Sequence, residues 1–311
     1  MSTYKTFYSP LKIGLLIVTI SYFLFTFHVM FTLSWIGEWE RIVGTFSFRI
    51  LIEDISATIG LIFRFTASII AITTIIYYIA KKKISKPLLY KIMRWIIVFE
   101  SIYWFGLIAT VATGIYGIVT TLSNSSATLI LSSLFISVIP AIVESLVIPV
   151  ALFMLARKLS PDKPIKPVIK WALISGTFFV LAFWLVNTGI WVLTLMVKGF
   201  DYILSYPQNM LSFLLTTIGL LALTTYSAYI TKSSKAETLQ ELNFKPISII
   251  ILALGFYYLA NYLIWIFLGG DYVWSTWYAW LLGHNLDLWM LSLPLVGIPL
   301  LFSKNQQQTK P

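Results

Sequence analysis

Six ionisable side chains stand inside long apolar stretches of this sequence: His28, Arg64, Glu100, Glu144, His284 and Asp287. Holding such a group in hydrocarbon costs roughly 2.5–3.5 kcal/mol on insertion scales, so it normally faces a partner or a cavity. His28 and His284 are the chain's two histidines. Counted along their segments, His28 lies about 24 Å in from one face and His284 about 10 Å down from the other. In a core about 30 Å thick those levels nearly coincide. Two imidazoles on separate helices at one level could ligate the two axial positions of a b-type haem. Asp287, one turn from His284, could then accept the imidazole proton, and Arg64 could pair with a haem propionate or with Asp287. The alternative is that each histidine satisfies a hydrogen bond within the protein. Beyond haem iron, two histidines are too few for a metal site.

The two glutamates suggest different chemistry. Glu100 is counted about nine residues from the inner end of its segment and Glu144 about twelve from the inner end of the next. If the two segments pack as a hairpin, the carboxylates share a cavity in the inner half, as a proton relay or ion site requires. Pairing of either acid with Lys91 or Arg94 is the competing expectation. Glu144 lies between Pro140 and Pro149, and each proline removes a backbone hydrogen bond and bends a helix. Kinked spans beside a carboxylate occur at transporter binding sites and in inert bundles alike.

The elements that must position these groups follow from composition. Of 311 residues 59% are hydrophobic and 11% charged, against about 25% charged in an ordinary soluble domain. Mean hydropathy is +0.87. These values predict an all-α, polytopic transmembrane bundle. A span needs about 20 apolar residues, and eight stretches supply them. Their bounds are roughly 12–36, 55–80, 91–120, 127–156, 168–197, 203–231, 246–268 and 277–303. Residues 40–54 read as a surface helix leading into the second span. Residues 1–303 form one transmembrane domain, and 304–311 a short polar cytoplasmic tail. The first run, Leu11 to Trp35, is longer than a signal-peptide core and is read as a retained helix.

Net charge is +10, but the basic residues sit in short loops, so they report topology and not a nucleic-acid partner. Of the 22 lysines and arginines, Arg41, Arg49 and Lys198 fall in outer segments and Arg64 within a span. All the others fall on the inner side if the N-terminus is inside, which predicts an even number of spans with both ends in the cytoplasm. Trp35, Trp39, Trp191, Trp265, Trp274, Trp277 and Trp280 then mark the outer interface, and Trp95 and Trp171 the inner one. The absence of cysteine excludes disulfides, thiolate-ligated clusters and thiol catalysis within the chain.

The helix count, the paired outer-half histidines, the lack of cysteine and the Ile-, Tyr- and Lys-rich character resemble two groups. One is the hydrophobic membrane subunit of the archaeal b-type cytochrome complex; the other is the quinone-interacting anchor of molybdopterin oxidoreductases. The first looks closer. It implies a multi-pass cell-membrane subunit, itself non-catalytic, that anchors an extracytoplasmic haem-bearing partner and exchanges electrons with quinol. His28, Arg64, His284 and Asp287 would contact haem b or quinone, and no catalytic residue is assigned. The other expectations are a proton-coupled secondary transporter using Glu100 and Glu144, and a structural membrane anchor.

Overall fold

The computed structural model of the chain describes residues 3–34, 48–81, 84–109, 138–160, 164–236, 243–268 and 290–302. These residues are helical, without strands. The elements are α1 (Thr3–Ser34), α2 (Phe48–Lys81), α3 (Lys86–Gly106), α4 (Ile139–Lys158), α5 (Lys166–Lys198), α6 (Phe200–Ser205), α7 (Pro207–Ser233), α8 (Phe244–Leu268) and α9 (Pro294–Leu301). Six of them, α1, α2, α4, α5, α7 and α8, are long and apolar enough to cross a membrane. α3 falls short by composition, because its described part carries Lys91, Arg94 and Glu100. The third and eighth expected spans, 91–120 and 277–303, are described only in part. Helix α2 begins at Phe48, so the latter half of the stretch expected on the surface continues into the second span without a break.

The surface is that of a membrane protein. Phe267, Tyr229, Ile218 and Val150 are among many large apolar side chains left exposed. Thr26, Ser68, Ser145 and Ser248, by contrast, are fully buried. Lipid solvates apolar side chains as well as a protein core does, so helices associate through small hydroxyl residues and close backbone approach instead. Ser56 Oγ donates to Gly106 O at 2.5 Å, Ser101 Oγ to Pro149 O at 2.8 Å and Ser248 Oγ to Gly297 O at 2.6 Å. Each links two neighbouring helices.

Packing follows chain order and closes on itself. α1 contacts α2, α2 contacts α3, and the series runs through α4, α5, α7, α8 and α9, which returns to α1. α2 and α3 run antiparallel, as a hairpin requires: Gly60 faces Tyr103 while Ser56 meets Gly106. Lys12, near the start of α1, sits over the ring of Tyr78 near the end of α2, at 4.9 Å. The ring closes at Gly14 of α1, where any Cβ would collide with the backbone carbonyl of Leu295. Between α5, α7, α8 and the start of α9, Val180, Leu220, Leu223, Leu254, Tyr257, Tyr258 and Met290 form a buried cluster. Phe183 packs against both tyrosine rings there.

Two helices depart from regular α geometry. In α4, Val143–Val147 forms a π-helical turn, and Ile148 N donates to Val143 O. Pro149 explains it: lacking an N–H, it cannot bond the carbonyl of Ser145, and its ring crowds the preceding turn, so the helix widens. In α7, Leu215–Gly219 does the same. Side chains from α5 and α8 engage that turn: Trp184 Nε1 donates to Thr217 O at 3.0 Å, and Thr216 Oγ1 lies 2.9 Å from the Tyr257 hydroxyl. At the far end of α5 the ammonium of Lys198 lies 4.2 Å from the ring of Tyr202. Its hydrogen bond, then one from Asn209, holds that half-buried phenol's pKa below its ordinary value.

Candidate functional site

Arg64 is almost fully buried in α2. Its Nε donates to the Tyr22 hydroxyl of α1 at 3.1 Å and lies 3.6 Å from Glu100 Oε1 of α3. The Tyr22 hydroxyl donates in turn to Glu100 Oε1. One cation, one carboxylate and one phenol from three helices thus satisfy one another. The guanidinium carbon sits 4.1 Å from the centre of the Tyr103 ring, 5.4 Å from Tyr22, and 5.7 Å from both Phe25 and Trp104. Aromatic faces attract a desolvated cation, so the rings add to the retention of the charge.

This joins two residues that the sequence reading put in separate layers. Counting from residue 91 set Glu100 in the inner half. The helix begins at Lys86, so Glu100 lies about 21 Å along it. Arg64 is about 25 Å back from the end of α2 at Lys81, hence at nearly the same level. Neither Lys91 nor Arg94 provides the counter-charge. Tyr22 and Tyr103 were missed, because a tyrosine in an apolar run carries no spacing signal of its own.

Glu144 is differently placed. It lies in the π-helical turn of α4, half-buried, with no hydrogen-bond or ion-pair partner among the described residues. The turn packs against both α3 and α5. α4 is also the most enclosed of the candidate spans, with 44% of its residues buried against 18–28% in the other five. The bond from Ser101, next to Glu100, to the carbonyl of Pro149 ties α3 to α4 just beyond that turn. Glu100 itself is committed to Arg64 and Tyr22, so the two glutamates differ in kind: one is clamped and the other has no partner among the described residues.

Of the haem or quinone candidates, Arg64 alone has a described side chain. His28 lies on helix α1, about 9 Å along it from Tyr22; its side chain is outside the described residues. His284 and Asp287 are outside them altogether, as is the tail 304–311. Among the described residues no group of three or more His, Asp or Glu is placed to hold a metal ion.

Comparison with known protein families, curated proteins and solved structures gave no match. The functional reading therefore rests on the chemistry of Glu144 and the Arg64 cluster.

Proposed function

We propose that this chain is a proton-coupled secondary transporter, an eight-span bundle of the cell membrane with both ends in the cytoplasm. Glu144 takes and releases the coupling proton. The observation that carries the reading is the carboxyl of Glu144, without a partner among the described residues, in a π-helical turn between two prolines. π-turns recur at functional positions, and broken helices line transporter sites at the middle of the bilayer. A carboxylate already locked to a guanidinium exchanges protons poorly, so Glu100 serves as scaffold and Glu144 as the mobile acid. The orientation is supported by the charge asymmetry, in which nearly all basic residues belong to one set of helix ends.

The test uses full-length protein in proteoliposomes with an acid-outside pH gradient and a pH-sensitive dye inside. Pooled amino acids, sugars, nucleosides and organic cations are added in turn. At least one pool should dissipate the gradient in wild type, and Glu144→Gln should abolish that response while the protein stays monodisperse. Uptake driven by sodium alone, or a response unchanged in Glu144→Gln, overturns the reading. So does failure of every pool together with a haem b absorption band that His28→Ala removes. That last result is the one expected of a respiratory membrane subunit.

A further inference from the structure

A groove of about 570 Å³ opens between α5 and α7 at the ends of these helices that carry basic residues. Three lysines line it, Lys166 and Lys170 from α5 and Lys232 from α7, and no acidic residue is among the described lining residues. Further in, the wall becomes apolar, with Leu173, Ile174 and Phe178. Its inner end is fixed by hydroxyl groups. Thr177 Oγ1 donates to Leu173 O at 3.0 Å and lies 2.9 Å from both Ser227 Oγ and Thr231 Oγ1 of α7. A hydroxyl has one proton, and that of Thr177 goes to Leu173, so Ser227 and Thr231 donate to Thr177. The hydroxyls therefore fasten α5 to α7 and leave recognition of an anion to the lysines.

We propose that this groove binds an anionic phospholipid, with the phosphate on Lys170 and Lys232 and one acyl chain along Leu173, Ile174 and Phe178. Three features favour this occupant over a free ion. From Lys166 to Thr177 the groove follows about 16 Å of helix, far longer than a phosphate ion needs. Its polarity changes along that length in the order of a lipid, charged at the mouth and apolar within. Basic pockets between spans on the side rich in lysine are also the usual seats of anionic headgroups, which attract each lysine near the surface. Lysines set only by topology need no groove between them. The site is separate from Glu144 and does not depend on the transport reading.

The experiment titrates the full-length protein in neutral detergent with phosphatidylglycerol, phosphatidylcholine or inorganic phosphate, reading the thermal unfolding midpoint. Phosphatidylglycerol should raise the midpoint saturably. The double variant Lys170→Gln/Lys232→Gln should need at least about tenfold more of it for the same rise, whereas Lys91→Gln, a basic residue outside the groove, should behave as wild type. Equal stabilisation by phosphatidylcholine or by phosphate alone overturns the proposal, as does a loss in Lys91→Gln matching that of the double variant. Both lysines are exposed, so their replacement leaves the packed surfaces intact.

Discussion

The most consequential residue is Arg64, because it is the cation of an ion pair that three helices share. A buried pair adds little net stability compared with an apolar replacement of similar shape, since both charges are desolvated to form it. Breaking one side is another matter. Arg64→Met leaves Glu100 and the Tyr22 phenol without their cation and should destabilise the protein by about 3–5 kcal/mol. The double variant Arg64→Met/Glu100→Gln should recover most of that loss, and chemical unfolding in detergent micelles measures both. Equal losses in the single and double variants would mean that the aromatic cage, and not the charge pair, carries the effect. The partnership was within reach of the sequence. Arg64 and Glu100 stand at similar distances either side of the basic hairpin at Lys81 and Lys86, so hairpin packing of the second and third spans would have paired them. Ser212 Oγ and Thr188 Oγ1 were not legible at all: both are buried without a hydrogen-bond partner among the described residues, which only packing determines.

At the scale of elements, α4 is the helix whose irregularity matters. Pro140 and Pro149 are plain in the sequence, and a bend is the expected result. A bend and a π-turn are different things. The π-turn adds a residue to one turn and rotates everything beyond it, which alters the direction in which Glu144 projects relative to Ser145 and Pro149. Pro149→Ala restores the missing N–H and lets α4 return to regular geometry, with a gain of up to about 3 kcal/mol at a helix-interior position. The expected outcome is a higher thermal midpoint together with loss of the proton-coupled response. A variant that is both stabilised and fully active would show that the turn is dispensable. The second π-turn, in α7, has no proline and was not foreseen. It is held by Trp184 and Tyr257 on neighbouring helices, so its cause is tertiary.

For the whole molecule the decisive feature is closure of the helix series by α1 against α9. Gly14 permits it, because the backbone of α9 lies where a side chain would stand. Gly14→Val should force these helices apart and cost about 1–3 kcal/mol. Thermal unfolding should show a lower midpoint, and size-exclusion chromatography a loss of monodisperse protein. Full retention of both would show that α9 can shift without penalty. A bundle closed in this way has no unpartnered first or last helix, and its outward faces are left to lipid.

The sequence by itself was enough to predict an all-helical multi-pass membrane protein and the approximate positions of six helices long and apolar enough to cross a membrane. Those properties are sums over many residues: a deficit of charge, apolar runs of the right length and basic residues gathered, Arg64 aside, towards the ends of those runs. Which polar group meets which was decided by tertiary structure. A contact such as Arg64 with Glu100 depends on where each helix starts, how it rotates and which helix lies beside it. A shift of five residues in the start of one helix displaces a side chain by about 7 Å along the axis and also turns it to another face. The separation of the two glutamates into a clamped residue and one without a partner among the described residues has the same origin, since two identical side chains differ only in what the fold brings to them.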